Sequence, residues 1–264
     1  MLAINNVIIV ESTVPVGSTE RFSERLAEKR PDLDFPFPGS QKADISIAHS
    51  PERVLPGQVL LELTRNDRVV GGITPRCAQR AAQLYQIVVK GRCFPTTART
   101  AELVKLAENA YRDVSIAFAN ELANVSDTLG INPWEVIELA NHHPRVNILN
   151  PGPGVGGHCI AVDPWFIVSS APDDTPLIQT ARRVNDGRPG RIAKAILETA
   201  TNLKPGTYNG TVTIRPLGLK ADGTEHFLSP ENPMTVSVTA LVTDLQGNGK
   251  RVVLFDDTQT IGPN

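Results

Sequence analysis

Residues 5–30 read NNVIIVESTVPVGSTERFSERLAEKR, and their order decides the fold. The run NNVIIVES is apolar and β-branched, the composition of a strand. It breaks at STVPVGSTE, where Gly17 and Ser18 lead into a charged amphipathic stretch that ends near Arg30. Working outward, 31–43 is a loop with proline and glycine, ISIAHSPE at 45–52 ends a second strand, and DRVVGG at 67–72 supplies a third, followed by a helix to about Tyr85. Strands alternating with helices imply a parallel α/β sheet.

From Thr97 the pattern becomes one long helix, TARTAELVKLAENAYRDVSIAFANELANVSDTLG, closed by Gly130. A second helix starts at once, with Asn132 as N-cap, Pro133 in the first helical position and Glu135 where a capping-box acid belongs. NPGPGVGGHC is then a glycine-rich loop, and DTPLIQTARRVNDGRPGRIAKAILETA reads as helices broken near Gly187 to Gly190. Beyond Leu203, TYNGTVTIRP and PMTVSVTALVTD alternate Thr with Val as half-exposed strands do, and RVVLFDD is a final apolar strand. The chain divides on this pattern into an α/β part at 1–95, a helical part at 96–203 and a β-rich part at 204–264.

Composition excludes several classes. A formal charge of -2 with interspersed signs offers no basic stripe for a phosphate backbone, so no nucleic-acid partner is expected. The apolar run from Val7 to Val10 is too short for a signal peptide or a membrane span, so no membrane partner is expected either. Cys77, Cys93 and Cys159 are an odd number without a CxxC pair, which argues for a reducing, cytoplasmic compartment and against a zinc site. With 41% hydrophobic residues the chain has ample material for a core.

The chemistry concentrates in GVGGHCIAVDPWF at 154–166, where a thiol stands beside three glycines whose backbone amides can stabilise a thiolate and cradle an oxyanion. A buried structural cysteine is the alternative for Cys159. Gly152, Gly154 and Gly157 also satisfy G-x-G-x-x-G, yet no apolar strand leads in and prolines lie inside the loop, so a loop shaping the thiol site is the better reading than a phosphate cradle. Lys105 and Asn109 lie one helical turn apart and could meet a single oxygen, as an ammonium and an amide, or could be ordinary solvated polarity. Asp163 is either a base that orders water or a turn former before Pro164.

Together STVPVGST at 12–19, SPERVLPG at 50–57, ELVKLAENAYRD at 102–113 and GPGVGGHCIAVDPWF at 152–166 resemble the UDP-glucose/GDP-mannose dehydrogenase family, over roughly residues 5–190. PERVLPGQ, INPWEVIELAN and HPRVNILNPGPGVGGHC look most like its branch acting on UDP-N-acetyl-D-mannosamine. The resemblance implies oxidation of a UDP-sugar C6 alcohol to the carboxylate with NAD, through a thiohemiacetal and a thioester on Cys159. Lys105 and Asn109 would stabilise the oxyanions, Thr13 would sit near water and nicotinamide, Glu52 would assist thioester hydrolysis, and Asp163 would help proton transfer. Ser12, Thr13 and Pro15 would contact the cofactor, and Arg145, Asn147, Gly156 and Gly157 the substrate. It also implies a homodimer built on the central helices.

The resemblance implies a partial Rossmann-like unit at 1–95, because the family's first strand and G-x-G-x-x-G turn have no counterpart here, and weak or absent NAD affinity is expected. Pro56 stands where some relatives carry a second acid. Lys220, Ser229 and Pro230 keep only the outer spacing of the family's nucleotide-binding turn, and 204–264 is either a degenerate UDP-binding domain or an immunoglobulin-like piece. The runner-up function is a non-catalytic fragment that retains the helical dimerisation module.

Overall fold

The computed structural model describes residues 2–53 and 59–201 and the strands at 206–214, 217–219, 225–227, 234–244 and 250–256, with side chains over 2–53 and 62–195. Pro56, Lys220, Ser229 and Pro230 lie outside the described residues. The chain forms two compact units, Met1–Pro189 and Gly190–Asn264.

In the first unit β1 (Val7–Val10) passes through the STVPVG loop into α1 (Ser18–Lys29), which Gly17 opens and Arg30 closes. β2 (Ser46–His49) is buried along its length, α2 (Val59–Arg65) follows, and β3 (Arg68–Gly72) leads into α3 (Pro75–Tyr85), whose N-cap Thr74 accepts a bond from the Cys77 amide. β4 (Cys93–Thr97) then runs without a break into α4 (Ala98–Leu129).

The sheet order is β1-β2-β3-β4. β1 and β2 are parallel, as are β3 and β4, but β2 and β3 are antiparallel, with Ala48 opposite Gly72. The sheet is thus mostly parallel, as the sequence implies, with one antiparallel pair. A parallel return requires a crossover that brings the chain back to the starting end. Here Arg53 donates to the Asp67 carbonyl at 3.4 Å, so β3 begins at the end where β2 finished. β4 escaped the sequence reading because Pro95 interrupts CFPTT; a proline is tolerated there because β4 is an edge strand.

Ile45 and Ile47 point to one face of the sheet with Phe35, Ile73 and Ala98, while Ala48 joins Val70, Ala81 and Ala82 on the other, the alternation a strand imposes. Gly71 lets α4 lie close: a Cβ there would stand 2.4 Å from the Thr97 carbonyl and 2.6 Å from the Ala101 Cβ.

After Gly130, in left-handed conformation, Asn132 caps α5 (Pro133–Asn141) by accepting from the Trp134 amide at 3.0 Å. α6 (Asp163–Ser170) and α7 (Pro176–Thr201) follow. α7 is continuous where the glycines predicted a break. Pro189 deprives the Asn185 carbonyl of its helical donor, but the turns of α7 leading up to it are held by Arg182, Asn185 and Arg188, which reach α4.

In the second unit β5 (Gly206–Ile214) is followed by the hairpin of β6 (Leu217–Leu219) and β7 (Glu225–Phe227), then by β8 (Met234–Asp244) and β9 (Lys250–Asp256). β5, β8 and β9 form one antiparallel sheet in that order. The Thr/Val alternation read as strands thus forms strands.

Candidate active site

One face of α4 carries Glu102, Asn109, Asp113, Asn120 and Asn124, spaced by four or seven residues and therefore on one side of the helix. Each reaches another segment of the chain, and the first four are buried. Glu102 accepts the amide of Gly17 at 2.6 Å, the amide of Thr19 at 2.7 Å and the Thr19 hydroxyl at 2.7 Å. A carboxylate thereby fills the positive end of α1 and fixes the loop that carries Ser12, Thr13 and Pro15. Thr13 and Pro15 are half-buried and Ser12 is exposed.

The loops beyond β1 and β2 run side by side. The Ser50 amide donates to the Val10 carbonyl at 3.0 Å and the Glu52 amide to the Glu11 carbonyl at 3.3 Å, which brings the Thr13 and Glu52 segments together at the carboxyl ends of the paired strands. Arg53 pairs with Glu108 at 2.7 Å and so ties the SPER segment to α4 beside Asn109.

Asn109 Nδ2 donates to Asp163 Oδ2 at 2.5 Å, and both residues are buried. The Asp163 amide donates in turn to the Cys159 carbonyl at 2.9 Å. Two separate sequence motifs thus meet at the turn that bears the thiol. Cys159 itself is exposed, which excludes the structural-cysteine alternative; Cys77 is buried, and burial pushes the half-buried Cys93 thiol upward. Lys105 lies half-buried between Glu102 and Asn109.

The other end of the glycine loop is also held from α4. Asn120 Oδ1 accepts the Gly152 amide at 2.8 Å, and Arg188 Nε donates to the Gly152 carbonyl at 3.1 Å while its Nη1 bonds to Asn124. Gly154, at φ 128°, packs where Pro189 has left the Asn185 carbonyl without a helical donor; a Cβ there would stand 3.0 Å from that oxygen and 3.1 Å from the proline ring. Gly156 and Gly157 are exposed. Arg145 and Asn147 are exposed in the segment before the loop, which Asn141 clips by exchanging two bonds with Ile148, at 2.7 and 3.0 Å.

Sequence reasoning found Asn109, Asp163 and Cys159 but missed Glu102, Arg53, Asn120, Asn185 and Arg188. For Glu102 and Asn120 the signal was the 3.6-residue period of polar side chains in α4, which looks the same as a solvated face until the buried partners are seen. Among the described residues no group of three or more His, Cys, Asp or Glu side chains is placed to hold a metal ion, and no helix is long and apolar enough to cross a membrane.

Residues 1–89 match the NAD binding domain, and 99–187 the central domain, of the UDP-glucose/GDP-mannose dehydrogenase family. The chain is 63% identical over 184 residues to the UDP-N-acetyl-D-mannosamine dehydrogenase of Yersinia pestis, covering 70% of this chain and 44% of that protein. It is 57% identical over 199 residues to an NDP-N-acetyl-D-galactosaminuronic acid dehydrogenase of Ralstonia nicotianae, covering 75% of this chain and 47% of the relative. Among solved structures, the UDP-D-ManNAc dehydrogenase of Pyrococcus horikoshii superposes with a TM-score of 0.69 at 44% identity, over 77% of this chain and 48% of that one. The chain spans about half the length of the relatives it matches. Residues 1–89 and 99–187 of this chain belong to the UDP-glucose/GDP-mannose dehydrogenase family.

Proposed function

We propose that this chain carries the catalytic centre of an NAD-dependent UDP-sugar 6-dehydrogenase that converts UDP-N-acetyl-D-mannosamine to its uronate. The observation that carries the reading is the Asn109–Asp163 bond, which holds the turn of an exposed thiol against the helix that bears Lys105. In this reading Cys159 adds to the C6 aldehyde and keeps it on the protein as a thiohemiacetal, and loss of a second hydride leaves a thioester. Lys105 and the loop amides offset the charge that develops on oxygen. Asp163 carries a proton between the oxygen on the sulfur-bound carbon and water, and Glu52 directs that water to the thioester.

NAD, when bound, would accept one hydride per molecule, so the two oxidations would take two molecules in turn. Ser12, Thr13 and Pro15 fit its nicotinamide end, because they leave the carboxyl end of β1 beside the Glu52 segment, the place where open α/β sheets take their ligands. The amides at the start of α1 do not fit its pyrophosphate, since Glu102 already occupies them. That occupation favours the second reading, a non-catalytic piece that retains the helical module. Arg145, Asn147, Gly156 and Gly157 would meet the sugar. The free state of all three thiols supports a cytoplasmic setting.

A homodimer through α4 is part of the proposal. Tyr111, Phe118 and Val125 recur every seven residues on the side away from the polar face, and all three are exposed. A helix polar within and apolar without needs a cover.

The test mixes the purified chain with NAD and UDP-N-acetyl-D-mannosamine, or its galactosamine epimer, and follows NADH absorbance. Turnover that Cys159→Ala abolishes supports the enzyme, and preference for the mannosamine supports the named substrate. Silence with both sugars supports the second reading.

A further inference from the structure

We infer that Asn120 and Asn185 are positioning residues for Cys159, and that the ionised Asp113 sets the direction in which they act. The inference rests on Cys159 as the nucleophile. Asp113, Asn120, Arg182 and Asn185 are fully buried, so their polar atoms depend on partners within the protein, which all but Asp113 Oδ2 and Arg182 Nε find. Arg182 Nη1 donates to Asp113 Oδ1 at 2.5 Å, and Asn185 Nδ2 donates to the same oxygen at 2.8 Å and to the Asp113 carbonyl at 3.0 Å.

A carboxylate accepts only, so Asn185 has to turn its amino group toward Asp113 and its oxygen away. That oxygen accepts Asn120 Nδ2 at 2.9 Å. Asn120 has then used its amino group, and its oxygen faces outward to take the Gly152 amide at 2.8 Å. The two acceptors of Asp113, its carboxylate and its main-chain carbonyl, thus fix two amide orientations in series, and the last of them pins the entry to the glycine loop. The opposite end of that loop is pinned at Asp163 by Asn109. The two anchors lie eleven residues apart on α4, about 16 Å along its axis at 1.5 Å per residue. Cys159 is slung between them from one rigid rod, which sets where its sulfur stands relative to Lys105.

The variants separate positioning from bulk stability. Asn120→Ala removes the acceptor for Gly152. Asn120→Asp keeps that acceptor but sets two oxygens against each other at Asn185, so it should melt lower while still holding the loop. Two readouts are taken on the full chain: amide hydrogen exchange over 152–159 by mass spectrometry, and kcat with UDP-N-acetyl-D-mannosamine and NAD.

Asn120→Ala should speed exchange in the loop and lower kcat by about tenfold or more, the scale on which a misplacement of about 1 Å is felt. Asn120→Asp should keep loop exchange and kcat closer to the wild-type values than Asn120→Ala does, despite its lower melting temperature. Exchange and kcat that simply follow melting temperature across the two variants would overturn the inference, as would an unchanged loop in Asn120→Ala. Should the wild type show no turnover, or should Cys159→Ala keep it, the catalytic reading fails while the exchange arm still decides whether Asn120 holds the loop.

Discussion

Asp113 has no exposed surface, and burial raises its carboxyl above the ordinary value even though Asn185 and Arg182 both favour the charge. His49 is equally buried, and there burial lowers the imidazole against the opposing pull of Glu102. The two groups give stability opposite pH dependences. For Asp113 the folded value lies above the unfolded one, so its contribution is fully present below 3.8 and is lost as pH rises through the raised value. For His49 the folded value lies below the unfolded one, so its contribution is present above 6.5 and is lost as pH falls through the depressed value. Urea midpoints measured against pH should show His49→Leu flattening the decline below 6.5, and Asp113→Asn removing the loss that begins above 3.8. A wild-type slope retained in either variant would refute the corresponding assignment.

At the scale of the element, the glycine loop and α7 explain each other. Pro189 costs α7 one backbone bond, and Gly154 lies against the carbonyl thus released, at a φ of 128° that side-chain-bearing residues rarely adopt. Gly154→Ala should therefore destabilise by about 1–3 kcal/mol, the usual cost of such strain. Gly156→Ala, whose Cβ would meet nothing within 4 Å, should cost far less in the same thermal melt. The sequence made both segments visible as glycine-rich and helical. It did not show that they touch, because a proline and a glycine more than thirty residues apart each read locally as a breaker. The Asn109–Asp163 meeting was legible only as a shared motif; the buried partners of Glu102 and Asn120 were not, since nothing local distinguishes a helical asparagine facing protein from one facing water. Strand pairing was partly legible: β1 and β2 announce themselves by β-branched runs, whereas the reversal at β3 is a long-range event that hydrophobic pattern does not encode.

For the whole molecule, the apolar side of α4 is the feature that the chain alone leaves unused. Tyr111 is 75% and Phe118 57% exposed, and Leu129, Trp134 and Leu139 on the same helical layer are exposed as well. Phe118→Asp should convert a dimer to a monomer on a sizing column, at unchanged circular dichroism. Wild-type protein eluting as a monomer would remove the dimer from the proposal.

Because the STVPVG loop, the SPER segment, the thiol turn and the glycine loop are all fastened to α4, the helix acts as a keyed shaft whose phase matters more than its chemistry. One residue inserted between Glu102 and Asn120 would turn everything beyond it by about 100° and carry Asn120 away from Gly152. Seven inserted residues would restore the angle but lengthen the shaft by about 10 Å, parting the loops by more than a side chain can span. The number of residues between Glu102 and Asn120 is therefore as much a part of the site as the side chains themselves.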